Sequence, residues 1–319
     1  MRIKDLHILP KFRDGWSHLY VEHCRVDRED KAVAIHDAEG TVRVPCANLA
    51  LLMLGPGVSI THAAVLTLSD SGCLVAWCGE GAVRFYAAGL GESRSAAGLL
   101  QQVEAYADPR RRLDVVRRMY LHRFSEKLEE TLTLQQIRGK EGIRVRETYQ
   151  RFSRETGVAW SGRNYSRGDW SAADPVNRAL SAANSCLYGI CHAAILSCGY
   201  SPAIGFVHTG KMLSFVYDVA DLYKTETSIP AAFKATAEGE AELERRVRHQ
   251  MRDLFFETNL LGRIVPDIQS LIGELPKGEL DRHMSDPSMP GELWDGQSGT
   301  VTGGRNHGEE ERGGDHPTA

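Results

Sequence analysis

Three short stretches of this 319-residue chain hold acids and an imidazole that are not readily explained as filler. The first is Arg138-Gly139-Lys140-Glu141-Gly142. Its two glycines fall within helical periodicity, where each costs about 0.8–1 kcal/mol relative to alanine. A helix tolerates that where another backbone or a ligand must come close, and Glu141 stands between them as a carboxylate with unusual access. A plain helix break carrying a surface glutamate is the alternative. The second stretch is Gly205-Phe206-Val207-His208-Thr209-Gly210-Lys211, where His208 is either a chemical group or a satisfied structural histidine. The third is Phe215–Lys224, in which Asp218 and Asp221 are spaced i,i+3 and so share one helix face. Phe215, Val216, Val219 and Leu222 make that helix mostly buried, and buried carboxylates need a partner. A divalent metal is one such partner and an arginine is another. Together Glu141, His208, Asp218 and Asp221 form an oxygen-rich set with one imidazole. That mixture suits Mg²⁺ or Mn²⁺, and the imidazole tilts it toward Mn²⁺.

The elements that must position these groups are expected to change in period along the chain. Residues 1–88 read as strands: Ser17–Arg25 alternates, Lys31–Ile35 and Thr41–Val44 flank a turn, and Leu49–Leu54 is a short apolar run. Thr61–Ser71 reads as one helix capped by Thr61. Cys73–Cys78 and Val83–Tyr86 are joined by Gly79-Glu80-Gly81 as a hairpin. Beyond Gly89-Leu90-Gly91 the spacing turns helical over Ala96–Ala107, Arg111–Leu128, Leu132–Thr156, Pro175–Gly199, Ser214–Tyr223, Pro230–Thr236 and Glu240–Ile272. From Glu274 the chain has nine glycines, no periodicity and many acids, which reads as a disordered tail. The expected class is α+β: a small β-rich N-terminal domain (1–90), a larger all-α domain (91–273) and a disordered Gly/acidic tail (274–319).

Hydrophobic content of 42% and charged content of 25% fit an ordinary globular protein. No apolar run is read as approaching the roughly 18 residues of a membrane span, and the charged first residues lack a signal-peptide core. The expectation is a chain that is neither exported by that route nor membrane-spanning. The seven cysteines include no CxxC pair and read as buried thiols of a reducing compartment, hence a cytoplasmic location. Net charge is −4, yet Glu274–Ala319 holds ten acids against four bases and leaves a body with 34 bases against 32 acids. Three basic clusters mark that body: Arg110, Arg111, Arg112, Arg117, Arg118 and Arg123; Arg138, Lys140, Arg144, Arg146, Arg151 and Arg154; Arg245, Arg246, Arg248 and Arg252. They are either phosphate-binding surfaces, which arginine's planar fork suits, or solvated faces paired with glutamates.

RGKEGIRVR, the SCLYG of Ser185–Gly189 and above all AIGFVHTGKMLSFVYDVADLYK over Ala203–Lys224 resemble the integrase of CRISPR adaptation. The most similar subtype is the one paired with Cascade-type (I-E) systems, and the resemblance runs from about residue 5 to 270. It implies a β-rich domain for dimerisation and duplex contact, followed by a helical catalytic domain. It also implies homodimers assembling on a small ferredoxin-like partner. By motif match Glu141, His208 and Asp221 would be the metal ligands, and Asp218 a nearby acid that assists catalysis. Where the family leads one to expect an aromatic residue on the N-terminal strand near the duplex end, this chain offers His23.

The reaction so implied is strand transfer, in which the 3′-hydroxyl of a short prespacer duplex attacks a phosphodiester at the boundary of a CRISPR repeat. Lys211, Lys224 and Arg138 are candidate cations for the pentavalent phosphorus. Arg84, Arg146, Arg163, Arg245 and Arg248 are candidates for phosphate contacts, which are weakly specific and salt-sensitive. Tyr165 and Trp170, in the polar loop Ser161–Trp170, either stack on unpaired bases or pack the loop. Tyr188 as a nucleophile is disfavoured, because it reads as part of a core helix and lacks an activating group. Two rivals remain: a non-catalytic DNA-binding scaffold whose acids merely pair arginines, and a metal-dependent hydrolase of small substrates.

Overall fold

The computed structural model describes residues 18–46, 49–82, 85–89, 96–124, 128–129, 131–163, 174–273, 293–295 and 299–301. In chain order the strand-rich region holds β1 (Leu19–Val21), β2 (Arg25–Glu29), β3 (Ala32–His36), β4 (Thr41–Pro45), β5 (Leu51–Leu54), β6 (Ser59–Ile60), α1 (His62–Asp70), β7 (Leu74–Cys78) and β8 (Phe85–Gly89). The helical region follows with α2 (Ala97–Ala107), α3 (Pro109–Phe124), α4 (Leu134–Thr156), α5 (Pro175–Ser197), α6 (Ser214–Tyr223), α7 (Ser228–Ala237), α8 (Leu243–Glu257) and α9 (Leu260–Ile272). Strands first and helices after is the α+β order expected from the change of period.

Two four-stranded sheets run β1-β5-β7-β8 and β4-β3-β2-β6. In the first, β1, β5 and β7 are parallel and β8 returns antiparallel to β7, giving the expected hairpin. Thr61 caps α1 by accepting from the Ala64 amide. The sheet explains the apolar run around Leu51. Leu52, Leu54 and Val75 face a core shared with Val26, Val33 and Val44. Leu51, Met53, Leu74 and Ala76 face the other way, into the helical core. A parallel strand buried on both faces loses the apolar–polar alternation that would otherwise mark it. Helix α5 lies against that second face. A Cβ on Gly189 would overlap Leu51 Cδ2, so the glycine lets the helix approach the strand this closely.

Helix α5 is the hub, packed by α6, α7, α8, α9, β5 and β7. It corrects one expectation. Its 18-residue apolar window, of mean hydropathy 1.4, is long and apolar enough to cross a membrane, but 83% of it is buried inside the protein. Two other boundaries differ from the sequence-based reading. The alternating stretch Ser17–Arg25 is not one strand: His23, at φ 49°, turns the chain from β1 into β2 and thus from one sheet into the other. Likewise Glu240–Ile272 is two helices, because Asn259 at φ 48° ends one and starts the next. Polar alternation and helical period are both blind to a single left-handed residue, although asparagine tolerates one well. Of the tail expected to be disordered, Leu293–Asp295 (β9) and Gly299–Val301 (β10) pair antiparallel; its other residues, like Arg84, Tyr165 and Trp170, lie outside the described ones.

All seven cysteines are free thiols, six of them buried. On α5, His192 packs on Phe85 of β8 with ring centroids 5.9 Å apart, and burial lowers its pKa to about 4. The unfolded chain therefore binds one more proton than the folded one between that value and 6.5, so stability falls as pH drops through this window. His192 should contribute about 2 kcal/mol to the loss between pH 7 and pH 5. Urea unfolding of His192→Gln should show a correspondingly shallower pH dependence than wild type; equal slopes would refute the assignment.

Candidate metal and phosphoryl-transfer site

The site forms where α3, α4 and α6 meet. Helix α4 starts at a capping box, with the Thr133 side chain taking the Gln136 amide and Gln136 returning to Thr133. It then runs unbroken through Gly139 and Gly142, as the helical spacing of Leu132–Thr156 led one to expect, and the alternative of a helix break is set aside. No other backbone explains the glycines either, since a Cβ at either position would meet nothing within 4 Å. Their bare surface leaves the Glu141 turn of α4 open on its solvent side.

Asp218 organises the opposite wall. It is buried on α6, and its carboxylate accepts from three successive amides: Phe206 at 2.5 Å, Val207 at 3.0 Å and His208 at 2.8 Å. It also lies 2.7 Å from His208 Nδ1, which must donate to it, leaving Nε2 as the free ring nitrogen. That hydrogen bond raises the His208 pKa against the opposing effect of burial. Asp218 is thus saturated by its own chain. Its place is to orient His208, and it has no oxygen to spare for direct chemistry. Two further features fix the loop. Arg112 of α3 donates to the Phe206 carbonyl at 3.0 Å. A Cβ on Gly205 would overlap the His208 carbonyl oxygen, so no other residue fits there.

Glu141, Asp221, Asp218, Arg123 and Arg138 line one pocket, walled by Met119, Ile137 and Leu222. The side chains of Glu141 and Asp221 are 22% and 19% exposed, so both carboxylates are largely withdrawn from water. Arg123 joins them: its Nη1 contacts Glu141 Oε1 and lies 4.0 Å from Asp221 Oδ2. Lys224 takes the other Asp221 oxygen at 2.6 Å and lies 5.2 Å from the Tyr188 ring centroid. Burial pushes Glu141 upward and Arg123 only partly offsets it, so its pKa is raised. Burial acts on Asp221 too, but Lys224 and Arg123 together pull it below the usual carboxylate range. His208 is close enough to act on both acids electrostatically.

The structure therefore brings Glu141 and Asp221 together at one pocket, joined by Arg123, with His208 on the adjoining 206–208 loop that Asp218 holds. By donor type the set fits a hard divalent cation: two carboxylates and an imidazole of fixed tautomer. As the side chains stand, no group of three His, Cys, Asp or Glu among the described residues is disposed around an ion, and Arg123 and Lys224 pair with the two carboxylates.

The phosphate candidates divide. Arg138 and Arg146 on α4 are exposed and make no ion pair or hydrogen bond among the described residues. Lys211 is exposed beside the His208 loop, Arg163 is exposed, and Arg245 pairs with Glu242 at the surface. Two candidates are otherwise engaged. Lys224 is the counter-ion of Asp221. Arg248 donates to the Gly81 carbonyl at 2.7 Å and stacks on Tyr20 at 4.5 Å, clamping α8 to the strand-rich region. Tyr188 is partly buried, edge-on to Tyr217, and the Lys224 ammonium beside it is paired with Asp221. His23 is exposed at the β1–β2 turn.

Arg123 is the residue that sequence reasoning did not single out: it stood in a basic cluster read either as a phosphate surface or as charge paired with glutamates. The signal was present: it continues the buried stripe Val116, Met119, Tyr120 at +7, +4 and +3. Asp218→Asn tests the wall it faces. The substitution replaces an acceptor oxygen by a donor against three amides and should lower the unfolding free energy by about 2–4 kcal/mol. A change below about 0.5 kcal/mol, the level of an ordinary surface substitution, would show that the carboxylate does not hold the loop.

A family model described as CRISPR associated protein Cas1 matches residues 18–125 and 119–245. A CRISPR-associated endonuclease Cas1 2 from Thermus thermophilus is 56% identical over 312 residues, 97% of this chain and 95% of that protein. The CRISPR-associated endonuclease Cas1 of Escherichia coli is 41% identical over 261 residues, 82% and 86% of the two chains. A crystal structure of a TtCas1–DNA complex, 55% identical, matches with a TM-score of 0.74 over 89% of this chain and 98% of that one. A casposase bound to its integration product shares the fold at 14% identity, with a TM-score of 0.65 over 80% and 90% of the chains. The chain belongs to the CRISPR associated protein Cas1 family.

Proposed function

We propose that this protein is a metal-dependent DNA integrase and endonuclease that joins the 3′-hydroxyl ends of a short prespacer duplex to a CRISPR repeat by transesterification. The observation that carries this reading is that Glu141 and Asp221 line one pocket together with Asp218, the acid that orients His208. It is supported by the relatives named as CRISPR-associated endonucleases and by the TtCas1–DNA complex. Glu141, His208 and Asp221 would hold Mg²⁺ or Mn²⁺, which would polarise the phosphoryl oxygen and lower the pKa of the attacking hydroxyl.

The chain's own groups do the rest. Asp218 holds the His208 ring in one tautomer and one orientation. Arg138, lining the pocket with no partner of its own among the described residues, faces the charge that builds on phosphorus, and Lys211 beside the loop is a second such cation. Arg146 on α4, with Arg163 and Arg245, extends the positive surface along which duplex phosphates run. One phosphodiester forms as another breaks, and the departing 3′-oxygen takes up a proton, so no high-energy cofactor is needed. The same proposal includes homodimers, a small ferredoxin-like partner, pairing with a Cascade-type system and a cytoplasmic setting. The free, mostly buried thiols are consistent with that setting.

The scaffold reading keeps one specific support: Arg123 and Lys224 already compensate the two acids. Metal dependence separates the two. Purified protein, its small partner, a prespacer duplex with free 3′-hydroxyls and a supercoiled repeat-bearing plasmid are incubated with Mn²⁺, Mg²⁺ or EDTA. Joining with either metal and none in EDTA is the expected result; DNA binding without joining under any condition favours the scaffold. Glu141→Ala and Asp221→Ala should each reduce joining by about 100-fold or more, while duplex affinity stays within about threefold. Retained joining by Asp221→Ala would remove the mechanism. Arg138→Ala and Arg146→Ala should each lower the slope of log affinity against log salt by about 1; unchanged slopes would take the DNA path off α4.

A further inference from the structure

We propose that Arg123 is the built-in counter-ion of the Glu141–Asp221 pair, and that a divalent cation binds these carboxylates by displacing its guanidinium. The inference rests on the reading that Glu141, His208 and Asp221 hold the ion. It concerns a residue of α3 that none of the motifs includes.

The placement of Arg123 is unlike that of its neighbours. Arg112 donates to the Phe206 carbonyl and Arg118 to the Leu271 carbonyl at 2.7 Å; both are stitches between main chain and helix. Arg123 instead reaches two ionisable side chains, Glu141 by direct contact and Asp221 at 4.0 Å. Its side chain is only 4% exposed and its Nε is buried with no hydrogen-bond partner. The guanidinium carbon lies 5.0 Å from the Phe124 ring centroid. A guanidinium does not deprotonate in a protein, so this charge cannot leave the site by titration. It can leave only by moving.

Charge count then sets affinity for an ion. Two carboxylates face two cations, Arg123 and Lys224, so the centre is close to neutral before a metal arrives. Affinity for hard divalent ions rises with the negative charge of the ligand set. Glu141 and Asp221 cannot give the same oxygens to Arg123 and to an ion. Arg123 holds Glu141 Oε1 and reaches toward Asp221 Oδ2, so an ion that takes an oxygen from each acid competes with the guanidinium and binds more weakly than the donor set alone would allow. Lys224 is held to Asp221 within a single helix turn and also lies against Tyr188, whereas Arg123 crosses from α3 to α4 and α6. Arg123 is thus the group that separates the two walls of the pocket when it moves.

Mn²⁺ binding to the full chain, followed by electron paramagnetic resonance of the free ion, tests this without recourse to activity. Arg123→Met should bind Mn²⁺ about tenfold more tightly than wild type or better, and Arg123→Lys, which keeps the charge, should stay within about threefold of wild type. A residue that merely braced the pocket would weaken binding when removed. Equal or weaker binding by Arg123→Met overturns the proposal. Should that variant fail to fold by circular dichroism, wild-type protein labelled with ¹⁵N-arginine decides. The Arg123 Nε–H resonance, assigned by its loss in Arg123→Lys, should shift on saturation with Mg²⁺, and an unmoved resonance overturns the proposal. Glu141→Ala and Asp221→Ala are measured alongside. If they keep wild-type Mn²⁺ affinity, the metal reading itself falls and takes this inference with it. If they lose it while Arg123→Met is unchanged, only the counter-ion role falls.

Discussion

Two carboxylates held close together and largely out of water are the constraint on which the rest of this structure depends. Isolated, each would be strongly disfavoured as an ion. Glu141 and Asp221 persist because Arg123 lies against both and Lys224 against one of them. The imbalance is visible in the directions of their shifts: the acid with two cations titrates low, and the acid with one titrates high. A site poised in this way favours whatever supplies more positive charge to it.

The fold exists, in this sense, to hold three walls in register. Helix α5, buried on nearly every side, fixes α6 on one flank and α7 and α8 on others. Helix α6 then carries Asp218 and Asp221 one turn apart, the first turned into the loop amides and the second into the pocket. Helix α4 brings Glu141 and is tied down farther along by Tyr149 stacked on Trp160 at 4.4 Å and packed on Phe233 of α7. Helix α3 crosses beneath, with Arg112 on the His208 loop at one end and Arg123 on the acids at the other. The strand-rich region joins this core through the second face of β5 and through the Arg248 clamp.

Much of this was legible from residue types. Ser214–Tyr223 is the helix its apolar spacing describes, and Glu141 and Asp221 line one pocket. The failures share a physical cause: pattern reports which face a residue lies on, not what it touches there. Arg123 and Arg112 look like surface charge in a run of arginines, yet they extend the buried stripe of α3 at its two ends. Arg248 reads as a phosphate contact and is instead bonded to a carbonyl 167 positions away. Asp218 reads as an acid available for chemistry, until the three amides it accepts are known. His23 and Asn259 each reverse the chain through one left-handed residue, which no period of two or 3.6 registers. Helix α5 has the composition of a membrane span because its environment is protein on all sides, and composition alone does not distinguish the two apolar surroundings.

The central claim is that Glu141, His208 and Asp221 share one divalent cation. Anomalous diffraction from crystals grown with Mn²⁺ addresses it directly. The account predicts a manganese peak bonded to Glu141, to Nε2 of His208 and to Asp221, with Asp218 still on the 206–208 amides and Arg123 withdrawn from Glu141. A Mn²⁺-saturated crystal whose peaks all lie elsewhere, with the Arg123–Glu141 pair intact, would contradict it.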